Sequence, residues 1–428
     1  MKKILLSLLF LGFSSLYLMA QDDIIQVQIG NNYSNQVYYT LENDETTTIG
    51  NNTWDIAFAI TTSLEAGIHV NESVSISFTG ASPSTLLYKA PVNIFEEIVY
   101  TDEIGDSLYN DESSWGYGGA LNIQKDPANY ADFGWGYYNP ANHALIGDRV
   151  FVIKLRDESY RKFIIESMIN GVYTLKYAAL DGSNEQTVLI DKAEYENHHL
   201  ILFSFLDGAV IEGPSSWDLV FQRYSDLDPS NVGIDVEYTV TGILTAPGVL
   251  SVQADNVNPD DVNFENYLDS LDSQLDIIGQ DWKFYSFDTG WNIIDDRVFF
   301  VKTADNKLWQ IYMYDFEGSS TGTYTFAKWD LGEVAGVKDA KSNFSSLTVV
   351  PNPASSNAEF SLVLESKNSG QARISVIDLD GRLVMEYEKQ ISTGLNAVNI
   401  STSALVAGNY FLAISTPDER IVRKLAIK

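Results

Sequence analysis

A pentapeptide that occurs twice limits what this chain can be. Trp54-Asp55-Ile56-Ala57-Phe58 returns as Trp217-Asp218-Leu219-Val220-Phe221, and the same kinds of neighbour surround both copies in the same order. Ordered recurrence of this sort is the mark of a duplicated unit. Alternation places Trp54, Ile56 and Phe58 on one face of a strand, where two aromatic rings bury a large apolar area, and turns Asp55 and Ala57 the other way. The motif is therefore a core strand and does not by itself define an active site.

The rest of the duplication follows from the same comparison. Val37-Tyr38-Tyr39-Thr40-Leu41 leads into the first copy, and Ile201-Leu202-Phe203-Ser204-Phe205 leads into the second. Later, Asp148-Arg149-Val150-Phe151 is repeated identically as Asp296-Arg297-Val298-Phe299, each followed by a second apolar strand. The copies close with Gly171-Val172-Tyr173-Thr174-Leu175 and Gly322-Thr323-Tyr324-Thr325-Phe326. Between Asp255 and Ile278, the apolar residues Phe264, Tyr267, Leu268, Leu271, Leu275 and Ile278 fall at helical spacing after an acidic stretch, which predicts one amphipathic helix. The matching stretch of the first copy, Phe95 to Leu108, predicts a weaker one. From Ser73 to Phe78 the chain alternates strictly, which predicts a strand with one polar face.

Composition narrows the function classes. With 24 Tyr, 21 Phe and 8 Trp among 428 residues, the chain is rich in strand-forming side chains and can build several cores. It has no cysteine, which excludes disulfides, thiolate catalysis and Cys-bound metal centres. Its net charge of −31 would repel nucleic-acid phosphates and anionic lipid, so neither is expected as a partner. Met1-Lys2-Lys3 and the apolar run from Ile4 to Met19 have the layout of a secretory signal cut after Ala20. No other stretch approaches the roughly 20 apolar residues of a spanning helix, so no transmembrane span is expected in the mature chain.

The small polar stretch 331–346 reads as a linker. Beyond it the character changes. From Leu347 to Lys428 there are eight Lys or Arg and eight Asp or Glu, so the acidic excess lies entirely upstream. Short alternating strands with turn signals, from Leu347-Thr348-Val349-Val350-Pro351-Asn352-Pro353 to Gly408-Asn409-Tyr410-Phe411-Leu412, predict a small β-sandwich.

These residues carry two resemblances. The leading strand, the Trp-Asp strand and the late aromatic hairpin ending in Gly-x-Tyr-Thr resemble the HmuY-like family of secreted Bacteroidota proteins, twice over, across residues 21–195 and 196–330. That likeness implies an all-β fold, two related antiparallel β domains with a few short helices, and haem as a ligand. Residues 347–428 resemble the type A C-terminal sorting domain of the type IX secretion system, an Ig-like β-sandwich. This second likeness implies the type IX secretion machinery as a partner, and a destination in the medium or on the outer-membrane surface, reached through the periplasm.

The histidines bear on the ligand. Of the four, His69 and His143 lie inside the first copy and are the candidate axial haem ligands under the resemblance. Their counterparts in the second copy are Asp235 and about Trp291, so two equivalent haem sites are not expected. His198 and His199 are adjacent and point to opposite faces of a strand, so they cannot serve one site together. No serine-hydrolase elbow, zinc-protease motif, P-loop or dinucleotide fingerprint occurs. A non-catalytic binding protein is therefore expected, either haem-capturing or a structural or adhesive surface component. The acidic clusters Asp226-Leu227-Asp228 and Asp255 to Asp261 lack the EF-hand pattern and read as a charged turn and a helix start.

Overall fold

The computed structural model describes residues 23–60, 66–74, 85–98, 105–126, 128–129, 131–139, 142, 144–227, 237–334, 344–378, 382–416 and 420–428. Among these every regular element is a β-strand or a 3-10 turn of three or four residues, so the chain is all-β. The signal segment 1–20, most of the alternating stretch after Ser73, and His143 lie outside the described residues. No helix among the described residues is long and apolar enough to cross a membrane.

The two Trp-Asp strands sit in two matching four-stranded sheets, and each sheet is completed by the other copy. In the first, the order is Ala209–Ile211, Leu200–Ser204, Ile56–Ala59, Ile68–Val70. The second runs Glu237–Thr245, Leu219–Leu227, Asn35–Tyr39, Thr46–Gly50. Ile56 pairs with Phe203, and Leu219 pairs with Tyr39. The leading strand of each copy has thus crossed to the Trp-Asp strand of the other.

A carboxylate fixes each crossing. Asp55 donates its backbone N–H to the Phe203 carbonyl at 2.8 Å, and its Oδ2 accepts the N–H of Phe205 at 2.7 Å. Asp218 repeats both contacts, donating to the Tyr39 carbonyl at 2.9 Å and accepting from the Leu41 N–H at 2.7 Å. The residue between the two large side chains is therefore an acid because it satisfies a backbone donor where the crossed strand ends, and a buried donor without a partner would be costly. In the first copy Arg156 completes the arrangement, with Nη1 at 2.6 Å from Oδ1 of the fully buried Asp55. The matching position of the second copy is Ala304, so Asp218 has no such guanidinium. Burial pushes both carboxyls up from the ordinary range; Arg156 and the Phe205 N–H pull Asp55 back, and the Leu41 N–H does the same for Asp218.

Two outer sheets cover these inner ones. One has the order Gln186–Asp191, Val172–Ala178, Tyr160–Ile169, Phe151–Lys154, Leu86–Lys89, Ser107–Leu108, and its hairpin of Gly136–Asn139 and Ala144–Gly147 joins through Tyr160–Ile169. The other runs Asp23–Gln28, Thr323–Glu333, Lys307–Phe316, Arg297–Lys302, Leu250–Asp255. The first strand of the described chain pairs with the last strand of the second copy, Val27 opposite Tyr324, as Ile190 lies opposite Tyr173. Beginning and end of the duplication are thus paired in one sheet.

Unit one is consequently the continuous stretch 54–211, and unit two is built from 23–50 together with 217–333. The boundary between residues 195 and 196 separates the two copies in the sequence, whereas the packing divides at about 50 and about 215, because the exchanged strands precede the strands they complete. Ile56, Phe58, Ile201 and Phe203 point into the core of unit one. Ala57, Ala59, Leu200 and Leu202, on the reverse of that sheet, join the core of unit two. The ordered strand begins at Ile56, so Trp54 does not share the face of Ile56 and Phe58; it turns to the seam and donates Nε1–H to Oε1 of Gln36 at 3.0 Å.

The expected helix is absent. Its place is taken by two short 3-10 turns, Phe264–Asn266 and Leu268–Ser270, and an irregular stretch to Gly279. The apolar residues serve two cores: Phe264, Tyr267, Leu268 and Leu271 cover the outside of the second outer sheet, whereas Leu275 and Ile278 enter the main core. One straight helix presents one stripe and cannot reach both. In the first copy Phe95–Glu97 forms a 3-10 turn, and residues 99–104 lie outside the described residues. The stretch expected as a linker begins late, since the strand Thr323–Glu333 extends into it.

The last 85 residues form two facing sheets, Phe344–Val350, Glu359–Ser366 and Gly394–Ser401 against Leu383–Ile391, Gly370–Asp378, Gly408–Ser415 and Arg420–Ile427. Phe360, Leu362, Leu364, Ile374, Val376 and Leu412 alternate into the space between them. This is the sandwich the turn spacing predicts.

Two expectations follow from the strand exchange. A fragment 54–211 should fold cooperatively when expressed alone, while 196–330 should not, since it lacks the strands Asp23–Gln28, Asn35–Tyr39 and Thr46–Gly50; urea unfolding of both fragments checks this, and a cooperative 196–330 would contradict the exchange. Asp55→Ala should cost about 3–5 kcal/mol in the full chain, because it leaves the largely buried Arg156 with only Ser204 and the exposed, more distant Asp207 in place of its 2.6 Å partner. Asp218→Ala should cost less, about 1–3 kcal/mol, since there only a hydrogen bond is lost.

Candidate functional site

The reverse faces of the two inner sheets meet in a seam, and a narrow cleft with about 40 Å³ of enclosed space, open to solvent at its mouth, runs into it. Unit two contributes Gln36, Tyr38, Gln222 and Leu244; unit one contributes Ala57, His69, Leu200 and Trp115. The alanine of the pentapeptide leaves room here that Val220 of the second copy does not. Cross-seam hydrogen bonds hold the walls: Trp115 Nε1–H donates to the Thr245 carbonyl at 2.8 Å, Ser73 Oγ–H to the Arg223 carbonyl at 2.8 Å, and the Ser225 N–H to Oε2 of Glu72 at 3.1 Å.

His69 is one wall of this cleft and is 3% exposed. Its Nε2 lies 2.6 Å from the Trp115 carbonyl. A carbonyl only accepts, so Nε2 carries the hydrogen. Burial pushes the imidazole down to about 4, against the opposing pull of the Trp115 carbonyl and Asp111, so the ring is neutral at physiological pH. The nitrogen an axial ligand would offer is therefore committed to the backbone, and the lone pair that remains, on Nδ1, is buried with the rest of the ring. His199, pushed down to about 4 chiefly by burial, packs edge-on against Trp217 at 5.7 Å, and His198 against Tyr195. Both stand just before the strand Leu200–Ser204 rather than within it. The structure thus places three of the four histidines against aromatic rings, His69 and His199 on the two members of one T-shaped tryptophan pair, Trp115 and Trp217, whose centroids are 5.7 Å apart.

The mouth of the cleft is acidic. Leu275 of unit two donates its N–H to the Glu112 carbonyl of unit one at 2.9 Å, which brings Glu112 and Asp276 side by side across the seam. Burial first, then the negative charges of Asp276, Asp226 and Glu72, push the Glu112 carboxyl up to about 8. Burial likewise raises Asp276, with Asp281 adding to the effect and a hydrogen bond from Gln274 opposing it. Tyr224, 3% exposed, lines the cleft with Glu112, and its hydroxyl has no hydrogen-bond partner among the described residues. Burial, and the charges of Asp276, Asp226 and Glu112, hold that phenol well above its ordinary range. Nothing in the sequence distinguishes Glu112 from the other acids; only the loop that crosses the seam does.

Elsewhere, the acid at Asp255 pairs with Arg297 at 2.6 Å, and Asp261 accepts from Asn258 at 3.1 Å, consistent with structural roles. No group of three or more His, Asp or Glu converges as a metal site would require among the described residues. A hairpin of Lys283–Ser286 and Gly290–Ile293 pairs with no other strand and displays Phe284, Tyr285 and Phe287 to solvent, the last 98% exposed. Beneath it Lys283 is buried among Trp282, Trp291 and Phe316, and burial pushes its amine down to about 7.

The raised Glu112 carboxyl has a definite pH consequence. The native chain keeps its proton up to about 8, while an unfolded glutamate loses it near its ordinary value, so stability falls as pH rises between the two and the penalty is complete above the folded value. Glu112→Gln should therefore raise the denaturation midpoint at pH 9 and leave it nearly unchanged at pH 4.5. Equal effects at both pH values would show that the carboxyl is solvated.

Comparison with known proteins places one part of the chain. Residues 348–428 match the family described as "Secretion system C-terminal sorting domain". No curated protein matches the chain. Among solved structures it is similar at low level to apo PinO from Porphyromonas gingivitis, with 9% identity over 74% of this chain and 100% of that one, at a TM-score of 0.23. It is also similar to the BSP domain of a biofilm-associated protein, with 9% identity over 91% of this chain and 68% of that one, at a TM-score of 0.16. The tail of this chain is a type IX secretion sorting domain, and it directs the protein through the periplasm to the cell surface or the medium.

Proposed function

We propose that the exported protein is a non-catalytic binding component of the cell exterior, and that its two HmuY-like copies act together as one binding body through the seam between them. The observation that carries this reading is the seam cleft, whose walls come from both copies and whose mouth gathers partly buried acids and an unpartnered phenol. Groups of this kind cost stability when left without a ligand, and such costs concentrate where proteins bind. A second reading, an adhesive surface protein, draws on the exposed aromatic hairpin at Phe284, Tyr285 and Phe287.

Haem fits the seam poorly. The enclosed part of the cleft has room for about three water-sized groups, far less than a planar macrocycle needs, and Nε2 of His69 is already bound to the Trp115 carbonyl. Titration of the mature chain with haem should accordingly give no one-to-one complex that depends on His69. A stoichiometric Soret-active complex abolished by His69→Ala would overturn the reading and restore His69 as an axial ligand.

A further inference from the structure

We propose that the mouth of the seam cleft is a receptor for a primary ammonium group, the chemistry that a lysine side chain presents. The inference rests on the reading of the two copies as one binding body, and it names the ligand class that body takes.

Three acceptors gather around this point: Glu112 and Tyr224 are in the lining of the cleft, and Asp276 is next in the chain to the lining residue Leu275. Glu112 and Asp276 are held together by the Leu275 to Glu112 backbone hydrogen bond, and no ion pair reaches either carboxylate among the described residues. The third is the hydroxyl of Tyr224, a buried side chain that has no hydrogen-bond partner among the described residues. An ammonium carries three N–H donors and no acceptor, so it can satisfy two carboxylates and a phenol oxygen at once. Glu112 holds a proton near neutrality, so an arriving ammonium would displace that proton to solvent and then make charge-assisted hydrogen bonds to both carboxylates.

The surroundings favour an organic cation over a metal ion. Trp115 and Trp54 line the cleft beside these acids, and indole faces attract ammonium groups and accommodate the alkyl stem behind them. No set of three ligands closes tightly enough for a metal among the described residues. The remaining basic groups do not compete. Arg223 turns its guanidinium to the Asn32 carbonyl and the Tyr33 ring, and the His69 ring is neutral. The enclosed space suits one small head group, and the proton that Glu112 retains near neutrality occupies the place an ammonium would take. The strong negative charge of the chain, −31 overall, draws cationic partners toward the seam.

The test uses the mature chain and n-butylammonium as the probe, with n-butanol and calcium as comparisons, in a buffer free of primary amines. Calorimetric titration should show saturable one-to-one binding of n-butylammonium and none of n-butanol. Glu112→Gln and Asp276→Asn should each weaken it roughly tenfold or more, as expected for loss of a charge-assisted contact, and Tyr224→Phe should weaken it less. Equal binding by n-butanol, undiminished binding in both carboxylate variants, no binding at all, or calcium binding in place of the amine would each overturn the proposal. Haem titration is indifferent to Glu112 and Asp276, so a failure here leaves the haem result to be judged separately.

Discussion

The body of this protein depends on one repeated contact, a pentapeptide carboxylate that accepts the backbone N–H at the end of a strand donated by the other copy. Asp55 does this for Phe205 and Asp218 for Leu41. The contact satisfies a donor that ladder pairing leaves open, and it sets the register, since a slip by one residue would turn every side chain of the crossed strand to the wrong face. Everything else in the two inner sheets, from the aromatic packing of Phe58 on Tyr173 to that of Tyr39 on Phe221, presupposes that register.

Exchange of the leading strands explains why the two copies are inseparable. A strand that stayed with its own copy would leave two bodies joined by a tether; a strand that crosses makes each copy the edge of the other. Pairing Asp23–Gln28 against Thr323–Glu333 then ties the first described strand to the last strand of the second copy, so unit two is held together from both ends of its chain. For a chain that must cross the periplasm and work outside the cell without disulfides, pairing of this kind supplies stability by packing alone.

The seam shows what the exchange makes available. At the seam, Glu112 and Tyr224 line one cleft, and the negative charge of Asp276 acts on both. These groups lower stability in the empty protein, in contrast to Asp55, whose burial is offset by Arg156. The same fold thus contains one acid that holds the copies together and another that the copies hold in an uncomfortable place, and the second is the one with a reason to meet a ligand.

Duplication, the all-β class, the core role of Ile56, Phe58 and Phe221, and the sandwich of the tail were legible in the residues, because alternation and recurrence are local properties and report which face a side chain takes. Partners were not. Period two says that Ile56 faces a core, but it does not say that the strand beside it comes from residue 200 rather than residue 37, since both leading strands carry the same pattern. The helical spacing from Phe264 to Ile278 was real in the sequence and was overruled because its two ends are drawn into different cores. His69 stood out by its rarity, yet its ring is committed to a carbonyl that lies 46 residues away in the chain. Glu112 and Tyr224 had no local signature at all; what makes them a site is the approach of two loops and two sheets across the seam, which depends on long-range packing and is decided only when the two copies pack together.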